Sequence, residues 1–170
     1  MTNQFHMIAA VTPGNGIGCK GKLLVFNPVD MAWFHNITIG HTVVMGRKTF
    51  MSIERRALVE RNIVVLSRSM EPRNYPNIKV FNSLYMFMQE YQSISNECYI
   101  IGGGIIYQEM MPFAKYLHLT MFPDYNPGIT APDAYFPTLD NTWTKTMGVD
   151  FIAEVDALPT RIQFNTYVRD

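Results

Sequence analysis

Short apolar runs alternate with segments of helical periodicity along the first two thirds of this chain, and this alternation is what most constrains its fold. The runs predicted as strands are residues 5–11, 42–45, 62–66, 78–81 and 97–101. The segments predicted as helices are residues 28–37, 48–53, 84–91 and 105–111. Strands that are separated by helices pair in parallel through right-handed crossovers, so the pattern predicts a mostly parallel sheet.

The last third of the chain has a different pattern. Residues 117–122, 143–154 and 161–169 look extended, with Pro, Asp and Asn turns between them, which predicts an antiparallel edge of the sheet. At 170 residues the chain has the size of one domain. We therefore expect a single α/β domain over residues 1–170, with a central sheet of about eight strands and about four flanking helices.

The composition excludes several classes of protein. Hydrophobic residues make up 48% of the chain and charged residues 16%, which is too apolar for a disordered chain. The charges balance to zero and no apolar run approaches the length of a membrane span, so we expect neither a nucleic-acid partner nor a membrane. The histidines lack zinc-site spacing and Cys19 lies far from Cys98, so we expect no metal and a cytoplasmic protein with free thiols. We also expect a monomer.

Asp30 is the single most informative residue. Asn27 is a good N-cap, and a helix that starts after it places Asp30 on the same face as Trp33 and Phe34. A carboxyl group among aromatic side chains has a raised pKa and can take part in proton transfer near neutral pH. The alternative is that Asp30 only favours the helix dipole and helps to cap the first turn.

Residues 16–23 match the GxxxxGK pattern of a nucleotide-binding P-loop, except at the last position. That position needs Ser or Thr to hold magnesium, and here it is Leu23. A Rossmann fingerprint fails as well, because Gly14, Gly16 and Gly18 have the spacing GxGxG and no helix begins at the last glycine. We therefore favour a mobile glycine-rich lid over residues 12–25 above both motifs.

Two other segments at predicted strand ends suit phosphate groups. Residues 46–49, Gly-Arg-Lys-Thr, combine two cations, a hydroxyl group and the N–H groups of a helix start, and Arg68 follows the neighbouring strand. The three glycines at 102–104 let the backbone approach a ligand closely. Each segment alone could be a solvated turn or a site of tight packing. Together they predict a binding site for one extended dinucleotide.

In their order and spacing, these segments resemble the dihydrofolate reductase family over nearly the whole chain. The matching positions are Ile8, Ala9, Ala10, Ile17, Gly18, residues 30–34 and 44–50, Ser52, Ile53, Arg61, residues 65–68 and 101–104, Tyr107, Leu119, Thr120, Asp133, Phe136 and Pro137. The resemblance implies an oxidoreductase with NADPH as its cofactor. Such an enzyme reduces dihydrofolate to tetrahydrofolate by hydride transfer to C6 and protonation at N5.

The resemblance also implies roles for single residues toward the substrate. Asp30 would bind the pterin ring and favour protonation at N5, with Thr120 as its hydrogen-bonding partner, and these two are the expected catalytic residues. Arg61 would pair with the α-carboxylate of the glutamate tail, which suits a guanidinium group. Further substrate contacts are expected from Ile8, Ala10, Met31, Phe34, Ser52, Ile53, Leu58, Ile101 and Tyr107.

The same resemblance implies the cofactor site. The adenosine end with its 2′-phosphate would be held by Arg47, Thr49, Ser67 and Arg68. The diphosphate would meet Gly103, Gly104 and Ile105, although many relatives carry a cation where this chain has Ile105. The remaining expected cofactor contacts are Ala10, Ile17, Gly18, Gly46, Lys48, Leu66, Ile101, Ile106 and Tyr107.

Two segments depart from the family pattern. Leu24 and Val25 stand in place of the usual Pro-Trp pair, whose tryptophan orders water near the pterin, so we expect hydride transfer or folate affinity to be altered. The segment before Arg61 lacks the usual Pro-Leu-Pro-Gly and is one residue longer. Either Arg61 or Glu60 therefore faces the glutamate tail, and counting back from residues 65–67 favours Arg61.

Three alternatives to a dihydrofolate reductase stay open on the sequence alone. The first is a reductase of the same fold that acts on another pterin or on a pyrimidine, to which the departures at Leu24, Val25 and Glu60 point. The second is a non-catalytic folate-binding or NADPH-binding module. The third is an ATPase that uses Lys22 of the P-loop-like segment.

Overall fold

The computed structural model describes residues 4–94, 96–126, 130–155 and 157–170. In chain order its strands and α-helices are β1 (Phe5–Val11), β2 (Gly16–Cys19), β3 (Lys22–Leu23), α1 (Pro28–Thr38), β4 (Thr42–Gly46), α2 (Arg47–Ser52), β5 (Asn62–Leu66), β6 (Lys79–Phe81), α3 (Leu84–Tyr91), β7 (Cys98–Gly102), α4 (Gly104–Met110), β8 (Ala114–Met121), β9 (Ala134–Tyr135), β10 (Trp143–Val155) and β11 (Leu158–Arg169). Short 3-10 helices lie between some of them.

Eight of these strands form one sheet in the order β10-β11-β8-β1-β7-β4-β5-β6. The strands from β8 through to β6 pair in parallel, whereas β11 pairs antiparallel with both β8 and β10. The predicted α/β fold with an antiparallel C-terminal edge is therefore confirmed. β1, β5 and α3 have the predicted bounds, and β8 begins at Ala114 rather than at residue 117 because Ala114 pairs with Phe5.

Caps set the limits of the helices. The Asn27 side-chain oxygen accepts hydrogen bonds from the backbone N–H groups of Val29, at 2.8 Å, and Asp30, at 3.2 Å, and Pro at the first helical position needs no N–H partner. Gly40, whose φ is +76°, reverses the chain after α1. The Ser83 hydroxyl group caps α3 in the same way, by accepting from Met86 N at 3.2 Å.

The core lies on both faces of the large sheet. Along β1, Met7 and Val11 point to the face that also buries Phe87 of α3 and Leu117 of β8. Ile8 points to the opposite face, which buries Val43 and other side chains and packs against α1. Within the described residues, no helix is both long enough and apolar enough to cross a lipid bilayer.

The glycine-rich lid predicted over residues 12–25 is not a loop throughout, because part of it forms strands that the sequence did not predict. β2 and β3 form a hairpin, and β2 also pairs with β9, which gives a second, three-stranded sheet. The hairpin turns at Lys20 and Gly21, whose φ values of +49° and +76° lie in the left-handed region. No helix follows Leu23 directly, so the segment is not a P-loop. We call residues 16–23 the lid hairpin.

Candidate active site

Asp30 is buried between α1 and the large sheet, with 7% of its surface exposed. Burial raises the pKa of its carboxyl group, and a hydrogen bond with the Thr120 side chain opposes that shift. Thr120 lies near the carboxyl end of β8, directly opposite Ala10 of β1. The first turn of α1 is capped by Asn27, so capping does not account for the position of Asp30. The result is a buried acid at the carboxyl ends of two adjacent parallel strands.

An apolar wall stands beside this acid. The predicted substrate contacts Ile8, Phe34, Ile53, Leu58 and Ile101 belong to one cluster on the α1 face of the sheet. Leu58 is only 2% exposed, so it supports this wall from behind. The predicted contacts Met31 and Ser52 are half-buried and exposed respectively, and the Ser52 hydroxyl donates to the Thr49 carbonyl at 3.0 Å.

Arg61 lies at the other end of α1 from Asp30. Its Nε donates to Thr38 Oγ1 at 2.9 Å and its Nη1 donates to the Val59 carbonyl at 2.7 Å. The guanidinium carbon lies 5.6 Å from the centre of the Phe34 ring. Glu60 is exposed and has a positive φ of 63°. The structure thus brings Arg61, and not the exposed Glu60 side chain, to the Phe34 ring of the apolar wall.

Tyr107 connects α4 to the same region. Its hydroxyl group donates to the Ile8 carbonyl at 2.7 Å. Burial raises the pKa of Tyr107, and the charge of Asp30 raises it further. A Cβ atom at Gly102 would lie 3.1 Å from the Tyr107 ring, so the first of the three glycines is required for this close packing. Tyr107 and Asp30 are therefore electrostatically coupled.

The predicted cofactor residues gather at the carboxyl ends of β4, β5 and β7. A Cβ atom at Gly103 would lie 3.4 Å from Thr49 Oγ1, and one at Gly46 would lie 3.1 Å from Ile106. The starts of α2 and α4 therefore approach each other closely, with backbone N–H groups on both sides. The exposed side chains around this approach are Arg47, Lys48, Arg68 and Ile105, of which three are cationic.

This donor set fits an anionic dinucleotide. Closely spaced N–H groups at helix starts and nearby cations are the chemistry that binds phosphates, and glycines without Cβ atoms leave the backbone open to a ligand. The Ser67 hydroxyl accepts from the N–H groups of Ser69 and Met70 at 3.3 Å and 3.2 Å, and its own proton can still donate. The side chains of Leu66 and Ile106 are buried in the core, whereas Ala10, Ile17 and Gly18 are half-buried.

One contact of the lid hairpin was missed by sequence reasoning. The Lys20 N–H donates to Asp133 Oδ2 at 2.8 Å, and the Asp133 N–H donates to the Gly18 carbonyl at 3.0 Å. Asp133 was noted only as a matching position. Its spacing from Lys20 of 113 residues carries no local signal, so only the three-dimensional structure could reveal the pair.

The fold and the site together define an α/β protein in which a buried acid lies near the closely spaced starts of α2 and α4. We call the region between these two helix starts the cleft. The chain belongs to the dihydrofolate reductase family, because the family model described as dihydrofolate reductase matches residues 4–169. It is 36% identical to dihydrofolate reductase from Haemophilus influenzae over 137 residues, which cover 80% of each chain. It is 37% identical to the Mycobacterium tuberculosis enzyme over 139 residues, which cover 81% of this chain and 82% of the relative.

A solved structure agrees with these relatives. The dihydrofolate reductase from Enterococcus faecalis, complexed with NADP(H) and RAB-propyl, superposes on this chain with a TM-score of 0.84 at 25% identity. The superposition covers 100% of this chain and 99% of that one. The resemblance inferred from the sequence is therefore confirmed at the level of the family and the fold.

Proposed function

We propose that this chain catalyses the NADPH-dependent reduction of dihydrofolate to tetrahydrofolate. The observation that carries the proposal is the buried carboxyl group of Asp30, hydrogen-bonded with Thr120 at the carboxyl ends of β1 and β8. A buried carboxylate complements the N–H-rich edge of a pterin ring. Family membership and the phosphate-binding chemistry of the neighbouring cleft support the same reaction.

Asp30 and Thr120 are the proposed catalytic residues. The carboxylate accepts hydrogen bonds from N–H groups of the pterin. Its negative charge stabilises the cation that forms when N5 is protonated. The Thr120 hydroxyl favours the ionised form of Asp30 against the effect of burial. The substrate rings would lie along the wall formed by Ile8, Phe34, Ile53 and Ile101, with Ala10, Met31, Ser52, Leu58 and Tyr107 around it.

The proposed cofactor residues bind and orient NADPH next to this wall. When bound, NADPH supplies the hydride that reduces C6 of the pterin. Arg47, Thr49, Ser67 and Arg68 would hold the adenosine end and its 2′-phosphate, and Gly103, Gly104 and Ile105 would meet the diphosphate. The contacts nearer the nicotinamide and along the cleft would come from Ala10, Ile17, Gly18, Gly46, Lys48, Leu66, Ile101, Ile106 and Tyr107.

The test follows the loss of NADPH absorbance when purified protein is mixed with NADPH and dihydrofolate. We expect turnover by the natural chain and a loss of at least about a hundredfold in kcat for Asp30→Asn, because the variant lacks the charge that supports protonation. The affinity for NADPH, measured by fluorescence titration, should stay unchanged in this variant.

Asp140→Asn is the matched control. Asp140 is exposed, and its carboxylate accepts a hydrogen bond from the Thr142 N–H at 2.9 Å. In the sequence it lies well apart from the proposed binding residues. We expect its kcat to equal that of the natural chain. Tight NADPH binding without any turnover by the natural chain would instead identify a non-catalytic module.

We further propose that the chain acts as a single-domain monomer in the cytoplasm. Within the described residues Cys19 and Cys98 form no disulfide, and Cys98 is buried in the core, which fits a reducing compartment. Light scattering coupled to gel filtration tests the oligomeric state, and a mass of twice the monomer would contradict this part of the proposal.

A further inference from the structure

The guanidinium group of Arg61 has protein acceptors on all three of its nitrogens. Besides Thr38 Oγ1 on Nε and the Val59 carbonyl on Nη1, its Nη2 lies 3.2 Å from His35 Nδ1 and 3.3 Å from the His35 carbonyl. A carboxylate that binds an arginine by two parallel hydrogen bonds needs two N–H groups on one edge. At least one of the present contacts must therefore give way before Arg61 can bind such a group fully.

The Thr38 contact is fixed. Thr38 is completely buried, and its hydroxyl group is held in place because it donates to the Phe34 carbonyl at 2.7 Å. Its oxygen is then oriented to accept from Arg61 Nε. The Val59 contact is made by the backbone. Neither acceptor can move without a change in the chain path.

The His35 imidazole is the acceptor that can move. Its side chain is exposed at the C-terminal turn of α1, so rotation about its side-chain bonds carries it into solvent. Because a guanidinium group can only donate, His35 Nδ1 is the acceptor in this contact. The hydrogen bond between the imidazole and Nη2 of Arg61 can therefore break without any change in the backbone.

We propose that His35 is a specificity-determining residue that competes with the substrate's tail carboxylate for Nη2 of Arg61. This inference rests on the proposed function, because it concerns how the same site recognises the glutamate tail. In the free protein the imidazole holds Nη2. On binding, the tail carboxylate replaces it, and Thr38 and Val59 keep the guanidinium group in position throughout.

The competition has a measurable consequence. Replacing the imidazole costs one hydrogen bond, so removal of the competitor should strengthen tail binding. We expect His35→Ala to lower KM for dihydrofolate about fivefold relative to KM for a tail-less dihydropterin. The tail-less compound has no carboxylate to place on Arg61, so it reports the integrity of the pterin site. The ratio of the two KM values cancels effects that both substrates share.

Two further variants sharpen the test. Asn36→Ala removes the neighbouring exposed side chain of α1, which makes no hydrogen bond to Arg61 in the described part of the chain, and should leave the ratio unchanged. In a protein that already carries Arg61→Gln, His35→Ala should have no effect on the ratio, because the shared nitrogen is gone. This double-mutant cycle separates competition for Arg61 from a general effect on α1.

An unchanged ratio in His35→Ala, with normal turnover of both substrates, would overturn the inference and leave the proposed function intact. A higher ratio would also overturn it, because His35 would then be a ligand of the tail rather than its competitor. If the natural chain turns over neither substrate, the proposed function fails, and the inference fails with it.

Discussion

The imidazole rings of His6 and His118 are joined edge to edge, with 3.0 Å between His6 Nδ1 and His118 Nε2 and 1° between the ring planes. Tyr116 and Tyr99 cover His6 at ring-centre distances of 4.5 Å and 4.8 Å. His6 is 7% exposed, and its Nε2 is buried with no hydrogen-bond partner within the described residues. Only one proton fits between His6 Nδ1 and His118 Nε2, so this arrangement favours two neutral imidazole rings.

We expect the protein to lose stability as the pH falls from about 6.5 toward 4. Burial lowers the pKa of His6 from 6.5 to about 4, nearby His118 adds to this shift, and Glu97 opposes it. Between these values the unfolded chain binds a proton that the folded chain does not, so the free energy of unfolding decreases with falling pH. The expected loss between about pH 7 and about pH 5 is roughly 2 kcal/mol.

Urea unfolding at both pH values measures this loss. In His6→Gln, which has no group that titrates in this range, the difference between the two free energies of unfolding should be smaller by about that amount. Equal pH dependence of the variant and the natural chain would show that His6 is not the group responsible.

Asp133→Ala should slow turnover by about fivefold. The change removes the hydrogen bond from the Lys20 N–H and leaves the lid hairpin less firmly attached beside β9, which lies against the start of α4 at Gly104. Asp133→Asn retains a side-chain oxygen that can accept the same bond, so its kcat should lie closer to that of the natural chain. Steady-state rates of the two variants check this order, and equal rates for both would contradict it.

Gly18→Val should reduce kcat by about tenfold. A Cβ atom at Gly18 would lie 2.9 Å from the Lys22 carbonyl oxygen, so the hairpin must distort and the cleft geometry changes with it. Gly21→Asn is the control, because Gly21 has open space around it and Asn tolerates its left-handed φ. An unchanged kcat in Gly18→Val would show that the hairpin tolerates the added side chain or that its geometry does not affect turnover.

Val25→Trp should destabilise the protein by about 1–3 kcal/mol, although it restores a residue that is usual in the family. Val25 is already buried in a cluster with Phe122, Ile162 and Phe164, and Trp33 stacks on Phe164 with 4.5 Å between ring centres. A larger side chain would overpack this cluster. Thermal unfolding of the variant measures the effect. A raised melting temperature would show that the cluster can accommodate the larger side chain and would contradict the prediction.

The large sheet could be predicted from the sequence because its signals are local. Residues 62–66 are bounded by polar residues and rich in β-branched side chains, and Ser83 caps a segment of helical period, so β5 and α3 follow directly. The sheet of the lid hairpin could not be predicted. β2 contains two glycines in four residues, β9 has only two residues, and their pairing joins distant parts of the chain.

The candidate site divides in the same way. The burial of Asp30 follows from helical spacing after Asn27, and the structure agrees with it. Counting back from residues 65–67 favours Arg61 over Glu60, but the geometry that brings Arg61 to Phe34 depends on a 3-10 helix at Arg55–Leu58 and on the positive φ of Glu60. Neither feature has a signal in the residue types, since Glu rarely adopts this conformation. The contact between His35 and Arg61 depends in turn on that same chain path.

The pairing of β2 with β9 joins the lid hairpin to residues that lie more than a hundred positions later in the chain. Gly16 pairs with Tyr135, and a Cβ atom at Gly16 would lie 2.8 Å from the Pro132 ring. A substitution at Pro132 or Tyr135 therefore alters how the lid hairpin packs. Tyr135 also lies against the start of α4, since a Cβ atom at Gly104 would lie 2.9 Å from the Tyr135 carbonyl oxygen. In laboratory evolution of this protein, substitutions that change the rate of ligand exchange should accumulate around residues 132–135 as readily as beside Asp30.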